Sequence, residues 1–217
     1  MLEKRLYKHI DLLVKRYPIL KSIENEIIEA YLIMEQAYLN NCKLLIAGNG
    51  GSAADSEHIA GELMKRFKLP RPVSSDFRQK LISVDSEIGE EMSNNLECSL
   101  MAIPLVAHEA MSTAYINDVD GYGVFAQQLF GYGQTGDVFL AISTSGNSKN
   151  IINASVVAKA MGMKIIGLTG ISGGKLAKYA DVNVCAPERE TYMIQELHLP
   201  IYHCWCMMLE DKFFGED

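Results

Sequence analysis

Apolar residues recur at three- and four-residue intervals through the first forty positions, at Leu6, Ile10, Leu13 and Val14 and again at Ile23, Ile27, Ile28, Tyr31, Leu32 and Met34. That period belongs to amphipathic helices. It predicts one helix over Leu2 to Tyr17 and a second over Leu20 to Asn40, broken near Pro18, where the ring interrupts helical hydrogen bonding. Beyond Lys43 the pattern changes. Apolar runs of strand length at Lys43 to Ala47, Met101 to Val106, Asp137 to Ile142, Lys164 to Thr169 and Asp181 to Ala186 alternate with helix-compatible stretches at Ala53 to Phe67, Val124 to Phe130, Lys149 to Met161 and Lys175 to Tyr179. A last helix, Thr191 to Lys212, contains Pro200.

Strands alternating with helices imply an α/β fold, a parallel sheet flanked by helices on both faces with right-handed crossovers. One domain over 1–217 accommodates it, with residues 1–41 as N-terminal helices that cover a sheet edge or a partner subunit. Pro104 argues against a strand over Met101 to Val106 or places that strand at an edge. Tyr115 to Gly121 reads as a polar turn. Residues 73–99, with Asp85, Glu87, Glu90 and Glu91 and a helical patch from Val84 to Cys98, read as an acidic insertion: a lid, an oligomer contact or a solvated excursion.

The chemistry concentrates where strands give way to helices. Gly48-Asn49-Gly50-Gly51-Ser52 follows the first strand, and Ser143-Thr144-Ser145-Gly146-Asn147-Ser148 follows the third. Such junctions present backbone N–H groups and the positive end of a helix dipole, which suits a phosphate. An N-cap needs only one Ser or Asn, so the extra hydroxyls of the second loop point to a phosphate or a sugar. In open parallel sheets ligands gather beyond the carboxyl ends of the strands, where both loops lie. The glycine spacing matches neither the dinucleotide fingerprint nor the nucleotide loop that ends in lysine, so no nucleotide cofactor is read here.

Charge narrows the partners. The 217 residues carry a formal charge of −7 with no basic run, which argues against nucleic acid. No stretch is long and apolar enough for a membrane span, and the N-terminus lacks a secretory apolar core, so a cytoplasmic protein is expected. The five cysteines, Cys42, Cys98, Cys185, Cys204 and Cys206, show no metal-ligand spacing and are expected to be reduced and packed.

The remaining candidates lie on helices. His58 and Glu62 stand four apart and share one face. Gln195 and His203 stand eight apart, about 80° around a helix, so both can face one pocket. His198 reads as a buried, satisfied core histidine.

Two hydroxyl and glycine loops, an H-x-x-x-E helix and a Q-x-x-H-x-x-x-x-H helix on one parallel sheet resemble the sugar isomerase (SIS) family and, within it, the phosphoheptose isomerases. The likeness rests on Gly48 to Ser52, His58 to Glu62, Asn117-Asp118, Ser143 to Ser148 and Ile194-Gln195-Glu196 through His203. It implies isomerisation of sedoheptulose 7-phosphate to D-glycero-D-manno-heptose 7-phosphate through an enediol. Asn49, Gly50, Gly51, Ser52, Asn117, Asp118 and Gln195 would contact the sugar. Ser143, Thr144, Ser145 and Ser148 would hold the phosphate, and Glu62 and His203 would transfer protons. The resemblance also implies a second picture, zinc held by His58, Glu62, Gln195 and His203, and a homotetramer with sites at subunit interfaces.

The chain departs from the family pattern at the long excursion Val73 to Ser99, at Gly61 in place of a second acid, and at Tyr192-Met193 in place of a basic residue. The alternatives are a non-catalytic SIS module that binds a sugar phosphate or a protein, or an isomerase or lyase acting on another phosphosugar.

Overall fold

A computed structural model describes residues 1–215. Five strands form one parallel sheet: β1 (Leu44–Ala47), β2 (Ala102–Pro104), β3 (Val138–Ile142), β4 (Lys164–Gly170) and β5 (Val182–Ala186), in the order β2-β1-β3-β4-β5. β2 is an edge strand, where the missing N–H of Pro104 is tolerated. The order reverses at β1, so the crevice between the ends of β1 and β3 is the topological switch point.

Two cores sandwich the sheet because side chains alternate along each strand. Leu44 and Ile46 of β1, Val138, Leu140 and Ile142 of β3 and Val182 and Val184 of β5 pack under α1 (Tyr7–Arg16), α2 (Glu24–Leu39), α3 (Gly51–Met64) and α9 (Thr191–Phe214). Leu45, Ala47, Phe139, Ala141 and Ile165 face the other side, beneath α7 (Val124–Tyr132) and α8 (Lys149–Ala160). The starts of β1 and β3 are tied by Asp137, fully buried. Its carboxylate accepts the Lys43 N–H at 2.9 Å, the Lys43 ammonium at 2.7 Å and the Gln134 N–H at 2.8 Å.

The N-terminal segment is helical as expected, a short 3-10 turn running into α1 and a second 3-10 stretch from Pro18 into α2. Two regions correct the sequence reading. Tyr115 to Asp118 is not a polar turn but the end of a helix, α6 (Glu109–Asp118). The excursion 73–99 holds two helices rather than one patch, α4 (Ser75–Val84) and α5 (Ser86–Asn95), joined at Asp85. Asp85 caps α5 by accepting the Glu87 and Ile88 N–H groups at 3.0 and 2.8 Å. All five cysteines are free. Among the described residues no helix is long and apolar enough to cross a membrane.

Candidate active site

The first junction is built for close approach. β1 delivers the chain to Gly48, and α3 starts at Gly51, two residues earlier than the apolar pattern predicts. The Ser52 N–H closes onto the Asn49 carbonyl at 3.0 Å, forming a tight turn. Gly50 holds φ +56° with open space where a Cβ would stand. At Gly51 a Cβ would lie 2.5 Å from Gln195 Nε2, so only glycine lets the amide of α9 reach this loop. The Ser52 side chain is buried rather than facing the crevice.

The second junction is tied internally. Ser143 Oγ and Ser148 Oγ lie 3.0 Å apart, spanning the loop. Asn147 donates its amide to the Ser145 carbonyl at 2.8 Å and accepts the Lys175 N–H at 3.1 Å, fixing the loop to the turn after β4. Thr144 and Ser145 line a cavity of about 240 Å³ that Ser172 and the exposed Arg189 also border. The two junctions are joined across the switch point by reciprocal amide bonds between Asn49 and Asn150, at 3.0 and 2.8 Å.

The reactive side chains meet between α3 and α9. His58 Nε2 lies 3.4 Å from Glu62 Oε1, and the ring of His58 meets that of His203 edge to face at 5.0 Å. Phe67 covers the other side of His203 at 5.4 Å. Burial holds the His203 imidazole below its ordinary pKa, the nearby His58 adds to the effect, and Glu62 opposes it. Among the described residues, His203 Nε2 is buried without a hydrogen-bond partner.

Several residues that frame this cluster were invisible to motif reasoning. Tyr202 bonds His58 and Asp55. Arg71, 1% exposed, donates to the carbonyls of Glu62 and Leu63 at 3.2 and 2.8 Å, capping the end of α3. It also pairs with the buried Glu210 of α9 at 2.9 Å, and Glu210 accepts the Phe67 and Lys68 N–H groups as well. The helix that carries Glu62 is thereby locked to the helix that carries His203. In the sequence only the Pro70-Arg71-Pro72 run, which restricts the backbone locally, marks this place.

His198, five residues before His203, is fully buried and bonds the Thr169 carbonyl through Nε2 at 3.2 Å, while its Nδ1 has no partner. Burial drives its pKa down to about 4. It is buried in the core as expected, but only its Nε2 is satisfied. Asn117 and Asp118 are exposed at the end of α6 and bond each other at 2.8 Å, with no bond to either loop among the described residues.

The implied zinc set was tested against this geometry. A carboxylate, two imidazoles and an amide oxygen suit zinc chemically, and 3.4 Å between His58 Nε2 and Glu62 Oε1 is a separation two ligands of one ion can have. Yet among the described residues no three His, Cys, Asp or Glu side chains converge as a metal-holding group. The side chains as placed do not complete a zinc shell, and no chemical step below passes through a metal.

The SIS domain model matches residues 13–170. The chain is 38% identical over 196 residues to the phosphoheptose isomerase of Sulfurimonas denitrificans, covering 90% of this chain and 87% of that protein. It is also 38% identical over 179 residues to the phosphoheptose isomerase of Aneurinibacillus thermoaerophilus, covering 82% and 77%. The chain belongs to the phosphoheptose isomerase family of SIS domains. Among solved structures, the phosphoheptose isomerase GmhA of Neisseria gonorrhoeae superposes with a TM-score of 0.73 at 31% identity, covering 97% of this chain and all of that one. The phosphoheptose isomerase of Francisella tularensis gives 0.74 at 27% identity, covering 95% and 97%.

Proposed function

We propose that this chain isomerises sedoheptulose 7-phosphate to D-glycero-D-manno-heptose 7-phosphate, with Glu62 and His203 as the proton-transfer pair. The observation that carries the reading is the meeting of Glu62, His58 and His203 between α3, which starts at the first strand-end loop, and α9, whose Gln195 reaches that loop. The names of the relatives supply the substrate.

Moving a carbonyl from C2 to C1 requires a base to take a proton from C1, an acid to protonate the enediolate oxygen, and return of a proton to C2. Glu62 takes and returns the carbon-bound proton. His203, held neutral near pH 7 by burial, has an N–H to give to the developing oxyanion and can move a proton between O1 and O2. Ser143, Thr144, Ser145 and Ser148 grip the phosphate at the start of α8. Asn49, Gly50, Gly51 and Gln195 line the sugar's path, with Ser52, Asn117 and Asp118 assigned to it by family likeness alone. Anchoring the distal phosphate turns its binding energy into orientation of C1 and C2.

A second reading, which rests on family likeness, places zinc on His58, Glu62, Gln195 and His203, although among the described residues these side chains do not converge as a metal-holding group. Metal analysis of the purified protein, with turnover before and after chelation, decides between the two. We further propose a cytoplasmic homotetramer in which 1–217 forms one SIS unit, residues 1–41 supply subunit contacts and residues 73–99 are an acidic insertion, either a lid, an oligomer contact or a solvated excursion.

Incubation with sedoheptulose 7-phosphate in D₂O, followed by NMR, tests the function. Aldose carrying deuterium at C2 supports it. No product and no exchange, from folded protein with and without zinc, would leave a binding module or another phosphosugar.

A further inference from the structure

We infer that Arg189 is a phosphate-binding residue: its guanidinium supplies the positive charge that the hydroxyl loop lacks and meets the substrate phosphate held by Thr144 and Ser145. The inference deepens the isomerase reading and rests on it for the sugar that carries the phosphate. Arg189 stands in the loop between β5 and α9 and borders the cavity of about 240 Å³ that Thr144, Ser145 and Ser172 line. Among the described residues no other lysine or arginine borders that cavity.

The backbone on both sides of Arg189 is pinned. The Gly170 N–H donates to the Thr144 carbonyl at 2.9 Å, tying the end of β4 to the hydroxyl loop. Ile171, the next residue, donates its N–H to the Glu188 carbonyl at 3.2 Å, and the Ile194 N–H closes onto the Glu190 carbonyl at 2.9 Å as α9 begins. The segment that carries Arg189 is therefore held to the loop whose hydroxyls are assigned to the phosphate, and the side chain itself is exposed.

The other five arginines are engaged within the chain. Arg5 pairs with Glu3 and Asp211, Arg66 with Glu97, Arg71 with Glu210 and Arg78 with Glu90, and Arg16 lies over the ring of Tyr17. Among the described residues Arg189 alone of the six has no such partner, although Glu188 and Glu190 flank it in sequence. A guanidinium that only balanced local charge has either carboxylate at hand. This one pairs with neither and keeps its five N–H donors for a ligand.

A phosphate monoester calls for such a group. It brings a charge of about −2 at pH 7 to a chain whose own formal charge is −7. Hydroxyls give it hydrogen bonds but no charge, and Glu188, which borders the same cavity, opposes it. A guanidinium offers two parallel N–H donors to one phosphate and stays charged at every working pH.

Inorganic phosphate is the probe, titrated into the full-length protein by calorimetry, because its binding needs no turnover. R189M should bind it about tenfold or more weakly than the parent, the size of a charge-assisted hydrogen bond. E188Q, which removes the opposing carboxylate, should bind it more tightly. Circular dichroism checks that both variants are folded, as the exposure of Arg189 leads one to expect. In steady-state kinetics on sedoheptulose 7-phosphate, R189M should raise KM by a similar factor with kcat little changed.

Equal phosphate affinity in the parent and R189M overturns the inference, as does a parent that binds no phosphate. An E188Q protein that binds phosphate no more tightly than the parent overturns it too, because the anion then lies outside this cavity. Weakened phosphate binding by R189M, in a protein that turns over no heptose phosphate, would sustain the contact and refute the isomerase reading alone. An active parent whose KM is unmoved in R189M would refute the contact alone.

Discussion

The two strand-end junctions share one topology and differ in what they expose. At the first, Gly50 leaves open space where a side chain would stand, and the helix that follows carries His58 and Glu62 toward α9. At the second, a Cβ on Gly146 would lie 2.1 Å from the carbonyl oxygen of Gly173, and the loop is pinned through Asn147 to Lys175. One junction is open and delivers reacting groups; the other is closed from behind and presents hydroxyls. On the proposed reading, setting the proton chemistry beyond the first junction and the phosphate grip at the second would let one parallel sheet hold both ends of a substrate.

Substitutions at matched positions can break that division of labour. The largest expected effect is E62Q, which removes the base while retaining the shape of the side chain: kcat should fall by roughly 10² to 10⁴ with binding nearly intact, as measured by steady-state kinetics. Next is G146A, where φ is +64° and backbone blocks the new methyl group; a loss of roughly 2–5 kcal/mol in denaturant unfolding is expected. Its counterpart G50A, at φ +56° in open space, should cost only about 1–2 kcal/mol, and equal losses at the two sites would erase the contrast.

Smaller effects sharpen the picture. S143A removes one hydroxyl from the phosphate grip and should raise KM about five- to tenfold, near the value of a single hydrogen bond, with kcat within about twofold. A matching fall in kcat would place Ser143 in the chemistry instead. N150A severs the amide bridge between the loops and should cost about 0.5–1 kcal/mol by thermal or chemical unfolding, because the pair is solvent-accessible.

Much of this was legible in the residues, and the exceptions share a cause. The five apolar runs announced the five strands because both faces of a parallel sheet are buried. The same logic missed α4 and α6, neither of which has a buried residue: α4 carries apolar side chains at Phe77, Leu81 and Val84, but Phe77 and Val84 are exposed, so its stripe does not mark a face packed on the sheet. At the site, the loop glycines, the hydroxyls, and the His58–Glu62 pair were readable from local spacing. The contacts that organise them were not. Tyr202 meets Asp55 across 147 positions and Arg71 meets Glu210 across 139, and no local period records a pairing that only the packing of α9 on α3 creates. Spacing did place Gln195 and His203 on one helix, but it could not show that Gln195 reaches the first loop while His203 sits farther along against His58.

The central claim is that the open junction carries the proton chemistry and the closed junction carries the grip. The most direct measurement is deuterium incorporation from D₂O at C1 of sedoheptulose 7-phosphate, at saturating substrate, in the parent, E62Q and S143A. The account predicts rapid exchange in the parent and in S143A and almost none in E62Q. Exchange in E62Q at the parent rate, or its loss in S143A with substrate still saturating, would contradict it.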